Sequence, residues 1–221
     1  MKTKAISLLL CVGLLFACNN QQKGAGIGAG GGALLGGIIG KMAGNTAIGA
    51  AVGGIVGATT GAIIGKKMDK AKKEAQAIQG AQVQTVTDSN GLEAVKVTFD
   101  DSQILFATGK ATLSNDSKAT LNKVATLLKN NSDCDVAVIG HTDSTGSDAV
   151  NNPLSLNRAK SVTTYLQNSG VATIKRTEGQ GSTNPVADNS TEAGRKQNRR
   201  VEVYMYASQE MIQKAEAGTL Q

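Results

Sequence analysis

Asp143 and Arg158 are the residues of this chain whose types and spacing best suit chemistry. Asp143 follows a predicted strand in Gly140-His141-Thr142-Asp143-Ser144-Thr145-Gly146. Arg158 lies fifteen residues on, in Leu154-Ser155-Leu156-Asn157-Arg158-Ala159, where the first turns of a helix are expected. A carboxylate accepts hydrogen bonds from an ammonium, and a guanidinium grips a carboxylate through two parallel donors. Held close together, the pair would read a ligand carrying both groups, such as a free amino-acid end. Taken alone, an Asp and an Arg at this spacing are more often a surface ion pair or two solvated side chains.

The pair needs a scaffold, and the patterning supplies one. Gln82 to Thr87 and Leu92 to Phe99 alternate across Asp88-Ser89-Asn90-Gly91, a hairpin with a loop ending in Asn-Gly. Ser114 is expected to cap a helix bearing Leu121, Val124, Ala125 and Leu128 on one face. Val136 to His141 reads as a strand. Pro153 fits the first position of a second helix, with Asn152 as its cap and Gly170 at its end. Gly146 permits a turn before it. Ile174 to Gln180 and Val201 to Met205 read as strands, separated by a loop and a short helix. Ala207 to Ala217 reads as a frayed terminal helix. The order β-α-β-α-β-(α)-β implies an α+β fold, a mixed sheet with helices packed on it.

Two further blocks flank the pair: Ile104-Leu105-Phe106-Ala107-Thr108-Gly109-Lys110-Ala111 upstream, and Gly194-Arg195 with Asn198-Arg199-Arg200-Val201-Glu202 downstream. With Asn151, these blocks in this order resemble the OmpA-like peptidoglycan-binding family, from Leu92 to Tyr206. Three separated blocks are a far more specific signal than one motif. The resemblance implies a ligand, the diaminopimelate side chain of the cell-wall stem peptide. It assigns the ammonium to Asp143 and the carboxylate to Arg158. It adds Asn151 and Leu154 on the same loop, and Thr108 and Gly109 on the first loop. Many relatives carry Asp or Asn where Gly109 stands, so only backbone is on offer there. Asn198, Arg199 and Arg200 match positions that are structural in the family. His141, the only histidine, is expected to give a supporting hydrogen bond. A metal site would need more ligands, and no cofactor is implied.

The N-terminus carries an address. Met1-Lys2-Thr3-Lys4 is a positive n-region, and Ala5 to Phe16 is an apolar run too short to span a bilayer comfortably. Leu15-Phe16-Ala17-Cys18 resembles a bacterial lipobox, which implies cleavage after residue 17 and lipidation of Cys18. Multiple acyl chains on one cysteine anchor stably. No aspartate follows Cys18, which points to the outer membrane, with the C-terminal domain in the periplasm.

Glycines then recur at every fourth position, from Gly24 to Gly44 and from Gly49 to Gly65, with Ile, Leu and Val between. Period four puts them on one helical face and lets two helices approach closely. In water each helical glycine costs roughly 1 kcal/mol against alanine, so such a ladder needs tight packing or lipid. Residues 24–65 are therefore expected to form a glycine-zipper helical hairpin in or on a membrane, able to associate with other copies. The plainer alternative is a flexible linker, which would favour Ser and Pro over Ile and Val. The expected organisation is signal peptide 1–17, lipidated N-terminus 18–23, hairpin 24–65, basic linker helix 66–81, ligand-binding domain 82–206 and tail 207–221.

Formal net charge is +6. Lys2 and Lys4 fall in the cleaved segment, and Lys66, Lys67, Lys70, Lys72 and Lys73 against Asp69 contribute +4, so the rest of the mature chain sums to zero. Nucleic-acid binders spread basic charge over the folded surface, so nucleic acid is not an expected partner. The lysine run would instead lie on anionic headgroups or on a solvated helix face. Cys134 stands alone between two acids, which would raise a thiol pKa, so it reads as a buried small residue. Three functions compete. A non-catalytic tether between membrane and peptidoglycan is favoured. A wall hydrolase using His141 and Asp143 lacks a zinc set and a nucleophile elbow. A pore built from the glycine hairpin is the third; residues 24–65 hold no carboxylate for proton coupling.

Overall fold

The computed structural model describes residues 57–88 and 90–220. The lipobox Cys18 and the glycine ladders through residue 56 lie outside them. Five strands and five helices make the described fold: α1 (Ala58–Gln76), β1 (Gln82–Thr87), β2 (Glu93–Asp100), α2 (Asn115–Asn130), β3 (Cys134–Gly140), α3 (Asp148–Asn168), β4 (Ile174–Gly179), α4 (Glu192–Asn198), β5 (Arg200–Ala207) and α5 (Gln209–Glu216). The sheet runs β1-β2-β5-β3-β4. All neighbours are antiparallel except β3 and β4, which are joined through α3 and pair parallel. This is the mixed sheet with packed helices that the patterning implies.

The expected hairpin is present, with Gln82 opposite Thr98 and Thr87 opposite Glu93. Asp88 closes its loop by accepting from the backbone N–H of Asn90 (2.8 Å) and Leu92 (2.9 Å), the self-bonding that suits Asp to turns. Ser114 caps α2 through the N–H of Ser117. Period-two alternation splits β5 cleanly. Val201, Val203 and Met205 enter the core with Val95, Val97, Phe99, Val136 and Val138, beneath Leu121, Leu128, Val162 and Leu166. Arg200, Glu202, Tyr204 and Tyr206 face the other side and are also buried. A central strand is covered by its neighbours' side chains on both faces, so even its polar residues lose solvent.

Three expectations about the helices need correction. Pro153 is not the first residue of α3. The helix begins at Asp148 after Ser147, whose carbonyl accepts from the N–H of Val150 (3.0 Å) and Asn151 (2.9 Å), and Pro153 lies inside it. The missing proline N–H would have met the carbonyl of Ala149, close to the helix end, where one lost bond is tolerated best. Asn151 and Leu154 are therefore on the helix and not on the preceding loop, and Arg158 sits in its third turn. The terminal helix is not frayed: Ser208 caps α5 through Met211 N–H, and Met211, Ile212 and Ala215 are buried. Thirdly, α1 starts inside the second glycine ladder. Its stripe Ile64, Met68, Ala71 and Ala75 belongs to the domain core. Lys67 pairs with Asp133 at 2.9 Å, and Asn131 donates to Glu74 at 2.8 Å. Lys66, Lys70 and Lys73 stay exposed on its outer face. Among the described residues no helix is long and apolar enough to cross a membrane.

Candidate ligand-binding site

The site is built where the ends of β3 and β4 meet α3. A side chain at Gly140 would stand 2.2 Å from the Ser155 carbonyl oxygen. One at Gly179 would stand 2.2 Å from Leu156 N. Only glycine at both strand ends lets α3 lie directly on the sheet backbone. That contact brings Arg158 over the strand ends. The chain leaving β3 is held from both sides: His141 N–H donates to Arg200 O and Thr142 N–H to Gly181 O, each at 2.9 Å. Asp143 is thus presented on a fixed backbone.

Asp143 is only 7% exposed. Its Oδ1 accepts from Thr145 N–H (2.8 Å) and its Oδ2 from Arg199 Nη1 (2.7 Å). Burial alone would raise its pKa, but the hydrogen bonds from Arg199 and Thr145 outweigh it and hold the carboxyl below its ordinary value. Asn151, 2% exposed, donates to the Asp143 carbonyl at 3.4 Å and braces the loop from α3. Arg158 is 6% exposed; its Nε donates to Lys110 O at 3.1 Å and its guanidinium lies 5.1 Å from the Phe106 ring centroid. Burial, and then the charge of Arg199, lower its pKa, with Asp101 and Asp143 opposing, yet an arginine remains charged. Its two terminal nitrogens make no hydrogen bond among the described residues. Asp143 and Arg158 do not pair with each other; the partner of Asp143 is Arg199.

Arg199 is the residue that sequence reasoning missed. The resemblance groups it with Asn198 and Arg200 as structural. Asn198 fits that description: it is fully buried, accepts from the N–H groups of Val186 and Ala187, and donates to Ala187 O and Asn189 Oδ1. Arg199 instead reaches into the site, with Nε on Asp101 (2.7 Å), Nη1 on Asp143 (2.7 Å) and Nη2 on Glu192 (3.0 Å). One signal was available. Arg200 and Glu202 share a strand face, so the neighbouring Arg199 at the strand entrance must point elsewhere.

Below the site lies a cavity of about 10 Å³, enough for one water-sized group, lined by Asp101, Phe106, His141, Arg158, Arg199 and Arg200 among others. His141 is 3% exposed, with Nε2 at 3.5 Å from Glu202 Oε2 and neither ring nitrogen in a well-formed hydrogen bond. Its pKa is lowered, mainly by burial. Thr108 and Gly109 are exposed in the loop beside Arg158. Lys110 N–H closes a turn on Ala107 O (2.8 Å) with Gly109 at φ +66°, a left-handed conformation. Leu154 is half-buried on α3. No hydrogen bond links Thr108, Gly109 or Leu154 to Asp143 or Arg158 among the described residues. No group of His, Cys, Asp and Glu is placed to hold a metal among them either. Burial first, and then Asp133, push the Cys134 thiol up to about 12.

Comparison with known proteins agrees with this geometry. Residues 105–199 match the OmpA family model, and residues 1–69 match the YMGG-like Gly-zipper model. The peptidoglycan-binding protein ArfA of Mycobacterium tuberculosis is 46% identical over 101 residues, 45% of this chain and 31% of ArfA. The probable lipoprotein YiaD of Escherichia coli is 47% identical over 108 residues, 48% of this chain and 46% of YiaD. The chain thus spans less than half the length of these two curated relatives. The cell wall anchor of the T6SS from Pseudomonas aeruginosa superimposes with a TM-score of 0.51 at 27% identity, covering 64% of this chain and 97% of that one. The segment that holds the Asp143 loop and the two strand ends seated against α3 is thus the one that matches the OmpA family, and it follows a segment that matches the YMGG-like Gly-zipper.

Proposed function

We propose that this domain binds peptidoglycan without catalysis, by gripping the free zwitterionic end of diaminopimelate, and that lipid on Cys18 ties it to the outer membrane. The observation that carries this is an asymmetry of commitment. Arg158 keeps both terminal nitrogens unused near a carboxyl held below its ordinary pKa. A carboxylate that docks on Arg158 places its own neighbouring ammonium within the field of Asp143. Similarity to a peptidoglycan-binding protein, ArfA, and to a cell wall anchor supports peptidoglycan as the partner. Asn151 braces the Asp143 loop; Leu154, Thr108 and Gly109 are assigned to the rim of the bound ligand.

The test uses the full chain in detergent with purified diaminopimelate-type sacculi. Charged hydrogen bonds contribute roughly 1.5–3 kcal/mol each. Asp143→Ala or Arg158→Ala should therefore weaken pull-down by at least about tenfold. The double variant should be little worse than either single one, because both residues grip one ligand end. Circular dichroism should stay unchanged and no muropeptide should be released. Wild-type binding by both folded single variants would remove diaminopimelate as the ligand. The anchor is tested separately: a clickable fatty acid should label the wild type, and Cys18→Ala should lose the label.

A further inference from the structure

We propose that Arg199 is the positioning residue of this site: by bridging Asp101, Asp143 and Glu192 it fixes the Asp143 carboxylate to receive a ligand ammonium, and leaves Arg158 free for the ligand carboxylate. The inference rests on the binding role proposed above for Asp143 and Arg158.

The three carboxylates come from three places in the fold. Asp101 follows β2, Asp143 follows β3 and Glu192 opens α4. Arg199 joins α4 to β5, and its backbone N–H is itself tied to Arg195 O at 3.0 Å. Each of its three side-chain nitrogens meets a different carboxylate, at 2.7, 2.7 and 3.0 Å. The planar fork makes this possible; a lysine, a single point of charge, could not span all three. Asp143 therefore does not depend on its own short side chain for its orientation. It is clamped between Thr145 N–H on one oxygen and Arg199 on the other. Each carboxylate oxygen has two acceptor sites, so an ammonium can add without evicting Arg199.

The charges around Arg158 also suit a ligand carboxylate. Arg158 and Arg199 line one cavity and repel one another. A ligand carboxylate on Arg158 relieves that repulsion, while Arg199 has three carboxylates of its own to keep it in place. The charged groups near Asp143 are thus Arg199, Arg158 and Asp101, with Glu192 reached through Arg199, and His141 and Arg200 on the cavity floor.

The full-length chain is assayed on diaminopimelate-type sacculi at neutral pH and through an acid titration, as wild type, R199Q, R199K and D143A. R199Q should bind about fivefold to tenfold more weakly. Its acid loss of binding should also move to higher pH, because the favourable neighbour that lowers the Asp143 pKa is gone. R199K should keep an acid midpoint near that of wild type, since the cation remains, yet bind more weakly, since the three-way bridge is lost. If D143A fails to bind while R199Q keeps both wild-type affinity and wild-type midpoint, Arg199 has no positioning role and the ligand assignment stands. If R199Q does not fold, R199K decides: wild-type affinity in that variant overturns the proposal. Wild-type binding by D143A would instead overturn the binding role itself.

Discussion

Two clusters of charge flank the same cavity, and they are built differently. One centres on Arg199, with side chains of Asp101, Asp143 and Glu192 between 10% and 68% exposed. The other centres on Glu202. That carboxylate is 4% exposed and accepts from Arg200 Nε (2.8 Å) and Tyr204 Oη, with Lys96 at 3.9 Å and His141 at 3.5 Å. Burial would raise the pKa of Glu202, but His141, Arg200 and Lys96 outweigh it and hold the group far down. Apart from Lys96, whose side chain is partly exposed, the network is shut off from solvent and cannot rearrange without stranding a charge. The outer cluster can exchange one partner for another. The contrast teaches a division of labour: the inner cluster fixes the end of the sheet, and the outer one is available to a ligand.

The largest effect is expected from breaking the inner cluster. Glu202→Ala leaves Arg200 beside His141 in the interior without its counter-charge, so urea unfolding should report a loss of about 3–5 kcal/mol. A loss under about 1 kcal/mol would show that the two clusters do not differ as argued. Next comes the pH dependence carried by His141. Its folded pKa lies below the ordinary 6.5, so the unfolded chain binds the extra proton first and stability must fall as pH drops below that value. The slope should approach at most about 1.4 kcal/mol per pH unit. His141→Asn should flatten this segment of the stability profile. The carboxylates add their own loss at lower pH, since Glu202 and Asp143 both have depressed folded values. The smallest effect belongs to the outer cluster. Asp143→Asn should change stability by less than about 1 kcal/mol, because Arg199 keeps Asp101 and Glu192 and its own side chain is 26% exposed. A larger loss would place Asp143 with the structural network.

Strands were the most legible part of the chain. Alternate residues enter the core in β2 (Val95, Val97, Phe99) and β5 (Val201, Val203, Met205), although burial itself does not alternate along either strand; the apolar spacing is local and shows without reference to anything distant. The Ser114 cap was equally readable, being a contact between residues three apart. The start of α3 was not. Asn152-Pro153 carries the same local signature as a helix beginning, and only the packing of residues 148–152 on the Asp143 loop decided otherwise. The core role of α1 was hidden for a related reason. Its apolar stripe runs through glycines and lysines that suggest a membrane segment or a linker, while its partners β2 and α5 lie far along the chain.

The sequence by itself determined the alternating strands, the mixed sheet with helices on it, and the two residues of opposite charge at the end of one strand and on the following helix. Those follow from local periodicity and from blocks whose order is written in the chain. Tertiary structure alone decided who pairs with whom. Asp143 meets Arg199, 56 positions away, and Arg158 is braced by the backbone of Lys110, 48 positions away. Both contacts depend on the close seating of α3 at Gly140 and Gly179 and on the course of β5 through the middle of the sheet. Charge attraction chooses among the partners that the fold brings within a few ångströms, and spacing along the chain cannot say which those are.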